Sequence, residues 1–220
     1  MDAIFKNRTE AGRMLAERLR GQIGPGTVVL ALPRGGVPVA FEIAQAFAAE
    51  LDVLPVRKIG VPGHKELAMG AIASGNALHV ERDTMDAMQV SQAQFDAVLA
   101  QERVELTRRE ALYRGDRPPV QIEGRTVVLV DDGIATGATM KAAVLALRGR
   151  KPARLIAALP VAPPHVEDEF SGLVDAFVCI AQPFPFFSVG QHYADFEETS
   201  DDDVRALLHR GWDRNRSGPH

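Results

Sequence analysis

Four consecutive apolar residues, Val127-Val128-Leu129-Val130, stop abruptly at two carboxylates, Asp131 and Asp132, and the chain continues as Gly133-Ile134-Ala135-Thr136-Gly137-Ala138-Thr139. An apolar run without alternation suits a strand buried on both faces of a parallel sheet. Met140, Val144 and Leu147 then recur at helical spacing, with Arg148, Gly149 as a candidate left-handed C′ residue and Pro152 as stop signals. Strand, tight turn and helix follow in that order, and open α/β sheets place ligands where such strands end. The turn gathers unpaired backbone N–H groups at the positive end of a helix, a natural seat for phosphate. Thr136 and Thr139 add hydroxyl donors, and Gly137 lets the backbone approach closely. Asp131 and Asp132 could accept hydrogen bonds from sugar hydroxyls. A phosphate at one end and a diol at the other is the footprint of a ribose 5-phosphate. The plainer alternative is a strand–turn–helix with solvated acids.

Val127 to Thr139 resembles the motif with which type I phosphoribosyltransferases bind 5-phosphoribosyl 1-pyrophosphate (PRPP): four apolar residues, two acids and a small-residue phosphate loop. No Gly-x-x-x-x-Gly-Lys-Ser/Thr P-loop and no Gly-x-Gly-x-x-Gly dinucleotide fingerprint occurs. Pro-Arg-Gly-Gly, Arg-Lys-Ile-Gly and Asp-Asp-Gly-Ile-Ala-Thr-Gly in this order also resemble a less characterised bacterial branch of the family.

A second strand–loop–helix unit lies upstream. Residues 27–32 read as a buried strand, Pro33-Arg34-Gly35-Gly36 as a tight loop, and Ala40, Ile43, Ala44 and Phe47 as one helix face. Arg34 brings charge, and Gly35 and Gly36 free the backbone to point N–H groups inward. The resemblance makes this the pyrophosphate loop, often carrying a non-proline cis peptide, with Arg57 and Lys58 assisting. Residues 51–56 read as the next strand, followed by an open polar loop over residues 61–67, and Ser74-Gly75-Asn76 marks a hairpin. By resemblance this region is a flexible lid that folds over bound substrate. Residues 83–113 read as helical, with a Ser91/Gln94 capping box and charges of alternating sign from Glu102 to Glu110 on a solvated face.

Further strands are expected at 154–159 and 174–180, with a helical segment begun by Pro163 and Pro164 between them. The sum is an α/β doubly wound, mainly parallel five-stranded sheet with flanking helices and a hairpin. The resemblance implies one phosphoribosyltransferase domain over residues 1–220, with a small hood from about 1–20 and 182–220. Within that hood, four aromatics (Phe184, Phe186, Phe187 and Tyr193) crowd among prolines, where a flat heterocycle could stack. By resemblance Phe187 would stack on the acceptor base, Val189 would offer backbone contacts, and Asp195 would sit near the metal. One extra residue separates Gly190 from Asp195 relative to the family pattern. Glu197 to Asp203 read as the cap and first turn of a last helix, and 214–220 as a frayed tail.

The chain's 220 residues, 46% hydrophobic, support a sizeable core, and a formal charge of −4 argues against a nucleic-acid partner. A lone Cys179 in an apolar run excludes an internal disulfide and reads as a packed thiol. No apolar run is long enough for a membrane span and no signal-like segment opens the chain, so a cytoplasmic protein is expected. The family resemblance implies magnesium-dependent transfer of a 5-phosphoribosyl group from PRPP to a small-molecule nitrogen acceptor, a nucleobase such as a purine-like one, by a homodimer. Asp131 and Asp132 would be the catalytic acids, touching the metal through water or ribose. Residues Ala135, Thr136, Gly137, Ala138 and Thr139 would seat the 5-phosphate. Two rivals stand beside this: a non-catalytic PRPP- or nucleotide-sensing regulator on the same fold, and a phospho-receiver domain, whose paired acids follow a first strand rather than a late one.

Overall fold

In the computed structural model, which describes residues 3–216, the chain begins with α1 (Arg8–Arg18), β1 (Val28–Ala31), α2 (Gly36–Phe47) and β2 (Glu50–Val53). Three antiparallel strands follow, β3 (Val56–Val61), β4 (His64–Ala73) and β5 (Ala77–Val80), and then α3 (Arg82–Ala87) and α4 (Gln92–Arg114). The second half alternates: β6 (Thr126–Val130), α5 (Ala138–Arg148), β7 (Arg154–Val161), β8 (Ala176–Ala181) and α6 (Asp201–Arg216).

The five apolar runs pair in parallel in the order β2-β1-β6-β7-β8. Because side chains alternate along a strand, each run feeds two cores. Val29, Ala31, Val128, Val130 and Ile156 face one side, where α1, α2 and α6 contribute Leu15, Ile43, Val204 and Trp212. Val28, Leu30, Val127, Leu129 and Leu155 face the other, against Met140, Val144 and Leu147 of α5. This is the doubly wound sheet expected, and it explains why the strands are apolar without alternation. The chain leaves β1 toward β2 on one side while β6 lies on the other, so the sheet's switch point falls between β1 and β6. The loops that follow β1 and β6 lie side by side there, where open α/β sheets place ligands.

The region between β2 and β6 departs from the sequence expectation. Residues 51–56 are not one strand: Leu54 and Pro55 end β2, and Val56 starts β3, which carries Arg57 and Lys58. The open loop over 61–67 is instead a tight turn at Pro62 and Gly63 (φ 81°) between paired strands. With the hairpin at Ser74-Gly75-Asn76 this makes a three-stranded antiparallel sheet. Its own core of Ile59, Met69 and Ile72 packs on Phe95, Leu99 and Leu106 of α4. The helical stretch expected over 83–113 is interrupted: Gln89 turns left-handed (φ 53°), and the Ser91/Gln94 capping box restarts the chain as α4.

Smaller corrections follow the same local logic. Gly149 is right-handed at the end of α5, and Lys151 supplies the positive φ. Only a short 3-10 turn, Val166–Phe170, follows Pro163 and Pro164. The tail expected from Arg214 is still helical through Arg216, and 217–220 lie outside the described residues. Cys179 is a half-buried thiol pushed up to about 11 by burial, as a packed cysteine should be. Among the described residues no helix is long and apolar enough to cross a membrane.

Candidate active site

β6 delivers Asp131 and Asp132 to the switch point of the sheet. The Asp132 N–H donates to Asp131 Oδ1 at 2.9 Å, which fixes the first carboxylate against the turn. Gly133 follows with φ 152°, and a Cβ there would lie 2.6 Å from Val189 Cγ1 and 3.0 Å from the Val161 carbonyl oxygen, so only glycine fits. Gly137 (φ 67°) then starts α5 without a side-chain cap. The first intrahelical bond is Lys141 N–H to the Gly137 carbonyl at 2.8 Å, which leaves the opening amides of α5 to a ligand or solvent. Ala135, Thr136 and Thr139 are exposed around that helix end, Ala138 is half-buried and Gly137 is buried. The five residues expected to seat a 5-phosphate therefore surround one positive helix terminus.

The loop after β1 packs directly on the acids. The Pro33–Arg34 peptide is cis. A Cβ at Gly35 would sit 2.0 Å from Asp132 Oδ2, and one at Gly36 would sit 2.7 Å from the Val130 carbonyl oxygen. The two glycines thus serve close approach rather than backbone freedom, since Gly35 is right-handed (φ -59°) and neither has a positive φ. The Gly36 N–H donates to the Leu32 carbonyl at 3.1 Å, and Arg34 pairs with Glu198.

Two residues that sequence reasoning did not assign to the site hold Asp132. Arg8, the first residue of α1, donates from Nε to Asp132 Oδ2 at 2.7 Å and from a terminal nitrogen to the Glu197 carbonyl at 2.7 Å. Its guanidinium lies 3.8 Å from the centre of the Phe196 ring. Tyr193 donates its hydroxyl to the Asp132 carbonyl oxygen at 2.5 Å. Both arrive because the chain start pairs with the segment after β8: Ile4 and Phe5 donate to the His192 carbonyl, and Ala194 and Asp195 donate back to Phe5 and Lys6. No local signal announces this. The only hint is the late aromatic cluster, whose Tyr193 packs against Phe5.

Burial pushes both carboxyls above the usual range. Asp131 is raised well above it, first by desolvation and then by the neighbouring Asp132 charge. For Asp132 desolvation is opposed chiefly by Arg8. Asp132 keeps 14% of its side-chain surface exposed, yet closely packed protein groups replace most of its water.

Arg57 and Lys58 line a separate cleft of about 600 Å³ that reaches from Pro33 to Thr139, between the loop after β1 and the start of α5. Arg57 donates to Glu102 of α4 at 2.7 Å. Phe187 is 79% exposed. Val189 is half-buried against Gly133. Asp195 is exposed and accepts from the Glu197 N–H at 3.3 Å, in a cleft shared with Arg8 and Glu198. Among the described residues no three His, Cys, Asp or Glu side chains are placed to hold a metal ion. Magnesium commonly takes one or two carboxylates and fills the rest of its shell from waters and substrate phosphates, a donor set for which Asp131 and Asp132 are the acids at hand.

This corner sets two glycine-bearing loops against paired acids at the switch point of a parallel sheet. Residues 2–195 match the phosphoribosyl transferase domain, and the chain belongs to that family. It is 46% identical over 207 residues to a protein named "Putative phosphoribosyl transferase" in two strains of Mycobacterium tuberculosis, covering 94% of this chain and 47% of the relative. The chain thus spans about half the length of those curated relatives. The crystal structure of TT1426 from Thermus thermophilus is 40% identical, with a TM-score of 0.86, covering 94% of this chain and 98% of that one.

Proposed function

We propose that the chain transfers a 5-phosphoribosyl group from PRPP to a nitrogen acceptor and releases pyrophosphate. The observation that carries this reading is the contact between Gly35 and Asp132, which joins an anion loop to a ribose-sized acid pair beside the open end of α5. In this reading the amides and hydroxyls of residues 135–139 hold the 5-phosphate. Asp131 and Asp132 accept hydrogen bonds from the ribose hydroxyls. Arg34, Gly35, Gly36, Arg57 and Lys58 hold the pyrophosphate.

No side-chain nucleophile is required. The bond from C1 to the pyrophosphate oxygen breaks with its electron pair leaving on oxygen, and the acceptor nitrogen's lone pair forms the new bond to C1. The nitrogen's surplus proton passes to a base, for which Asp132 is the better placed acid, because Arg8 and Tyr193 fix it. Positioning both ends of the sugar and matching the departing charge supply the catalysis. Magnesium, when bound, would neutralise pyrophosphate charge and act as a template, with Asp131 and Asp132 receiving its waters. Asp195 is a weaker candidate for that role, since it borders the cleft beyond Arg8 rather than the one lined by Arg57. Phe187, exposed in the aromatic segment, supports a flat acceptor such as a nucleobase, and Val189 packs in the neighbouring apolar cluster with Phe5 and Tyr193.

Equilibrium binding of PRPP with and without magnesium tests the first half of the reading, and saturable, magnesium-dependent binding is the expected result. Absence of binding would remove the proposal. Pyrophosphate release across a panel of nucleobases and amines tests the second half. Binding without release for any acceptor would turn the reading toward a PRPP sensor.

A further inference from the structure

α4 is an addition to the parallel sheet, and its charges read from sequence as a solvated, salt-bridged face. The structure turns one of them inward. Arg109 borders the 600 Å³ cleft on one side and, with Arg34 and Arg108, a smaller space of about 240 Å³ beside Pro33 on the other. It therefore stands over the loop that follows β1. Its Nε donates to Glu105 at 3.0 Å, and that carboxylate is shared with Arg108. Lys65 enters the same cleft from the β3–β4 hairpin, where the pairing slips on either side of Gly60. A slip of this kind bends a strand and re-aims its side chains. Among the described residues the cleft is lined by Arg57, Lys58, Lys65 and Arg109 and by one acid, Glu102, which Arg57 engages, while Arg109 is paired with Glu105 outside the lining. A larger cleft of about 730 Å³ elsewhere in the molecule sets Arg114, Arg117 and Arg125 against Glu50, Asp52 and Asp213, and this near-balance gives it no preference for an anion.

We propose that Arg109 and Lys65 complete the seat of the departing pyrophosphate, making α4 a fixed wall of the substrate site. This deepens the phosphoribosyl-transfer reading and rests on it. Three features support it: the excess of cations, the position beside Pro33, and Thr139 of the phosphate turn on the same wall. Guanidinium suits the role because its planar fork can hold two phosphate oxygens at once.

The test is calorimetric binding of pyrophosphate and of PRPP, each with magnesium, to the full chain. Arg109→Gln, which keeps the stem and the helix, should weaken pyrophosphate binding about tenfold or more, the usual worth of a hydrogen bond to a charged group. Arg109→Lys should recover part of that loss. Lys65→Ala should weaken binding to a smaller degree and lessen its salt dependence. Arg103→Gln, on the same helix but outside both spaces, should bind as the wild type does. Melting curves confirm that each variant is folded. Wild-type affinity in Arg109→Gln and in Lys65→Ala would overturn this inference while leaving phosphoribosyl transfer standing. A wild-type chain that binds neither pyrophosphate nor PRPP would remove the transfer reading itself.

Discussion

The acid corner and the basic cleft are neighbours, but they are built on opposite plans. In the corner the main charges are already answered within the chain: Asp132 by Arg8, Arg34 by Glu198, and the Asp131 carboxylate by a backbone N–H. Arg8 and Asp132 are 12% and 14% exposed, so the pair is held in one geometry rather than loosely solvated. In the cleft Arg57 and Arg109 are paired with Glu102 and Glu105, while Lys58 and Lys65 stand exposed. The corner is organised before any substrate arrives, whereas the cleft keeps charge in reserve. That division suits a reaction in which orientation matters at the sugar and charge matters at the leaving group. Substitutions in the corner should therefore change turnover, and those in the cleft should change affinity.

Asp132→Asn should show the largest effect. The amide oxygen can still accept from Arg8, so the fold should survive, but the group no longer takes a proton. Turnover, measured as pyrophosphate release, should fall by about 10²–10⁴-fold, the usual range for a lost general base. PRPP affinity should fall much less than that. An unchanged rate removes Asp132 from the mechanism. A loss confined to affinity would mean that corner and cleft share one task, and the division would break.

A smaller effect is expected where the corner meets the loop after β1. Gly35→Ala places a methyl 2.0 Å from Asp132 Oδ2 and 2.6 Å from Cγ, so a backbone or a carboxylate must move. Overpacking of this kind costs about 1–3 kcal/mol. Gly24 is the control, because a Cβ there meets nothing within 4 Å and its φ is not positive. Denaturant melts should separate the two, with Gly24→Ala near wild type within about 0.5 kcal/mol. Equal stability for the two variants would show that the contact is slack and that the two loops are not one unit.

The same contrast explains what could be read from the chain. The corner's core is contiguous: strand, acids, turn and helix occupy residues 127–148, and every step is set by local chemistry. The sheet and the helix over Met140 followed from periodicity alone. Arg8 and Tyr193 did not, because they reach Asp132 across 124 and 61 residues, through pairing of the chain start with residues 192–195. In the cleft the residues Arg57 and Lys58 stood out, but their setting did not. Val56 looked like the end of a strand because Pro55 does not by itself announce a change of sheet. Arg109 was hidden by a good local explanation, the i,i+4 pair with Glu105, which is present as well.

The finest distinction lies between the two acids themselves, and it predicts the smallest effect with an unusual sign. Asp131 is raised well above the ordinary carboxylate range by burial and then by the Asp132 charge, whereas Asp132 has Arg8 directly against it. A carboxyl whose pKa is raised on folding binds its proton more tightly in the native state than in the unfolded one. Its contribution to stability is complete below the unfolded value, near about 4, and is lost as pH climbs through the higher folded value. As pH rises above about 4, Asp131 therefore lowers the stability of the fold. Asp131→Asn keeps the oxygen that accepts the Asp132 N–H and removes the charge. Its melting temperature should exceed that of the wild type at neutral pH, by a few degrees at most, and the gap should close as the pH is lowered toward 4. Asp132→Asn should gain less, because Arg8 opposes the effect of burial on its charge. If Asp131→Asn melts lower than wild type at every pH, the Asp131 charge is answered as fully as that of Asp132, and the two acids are not divided in the way their surroundings indicate.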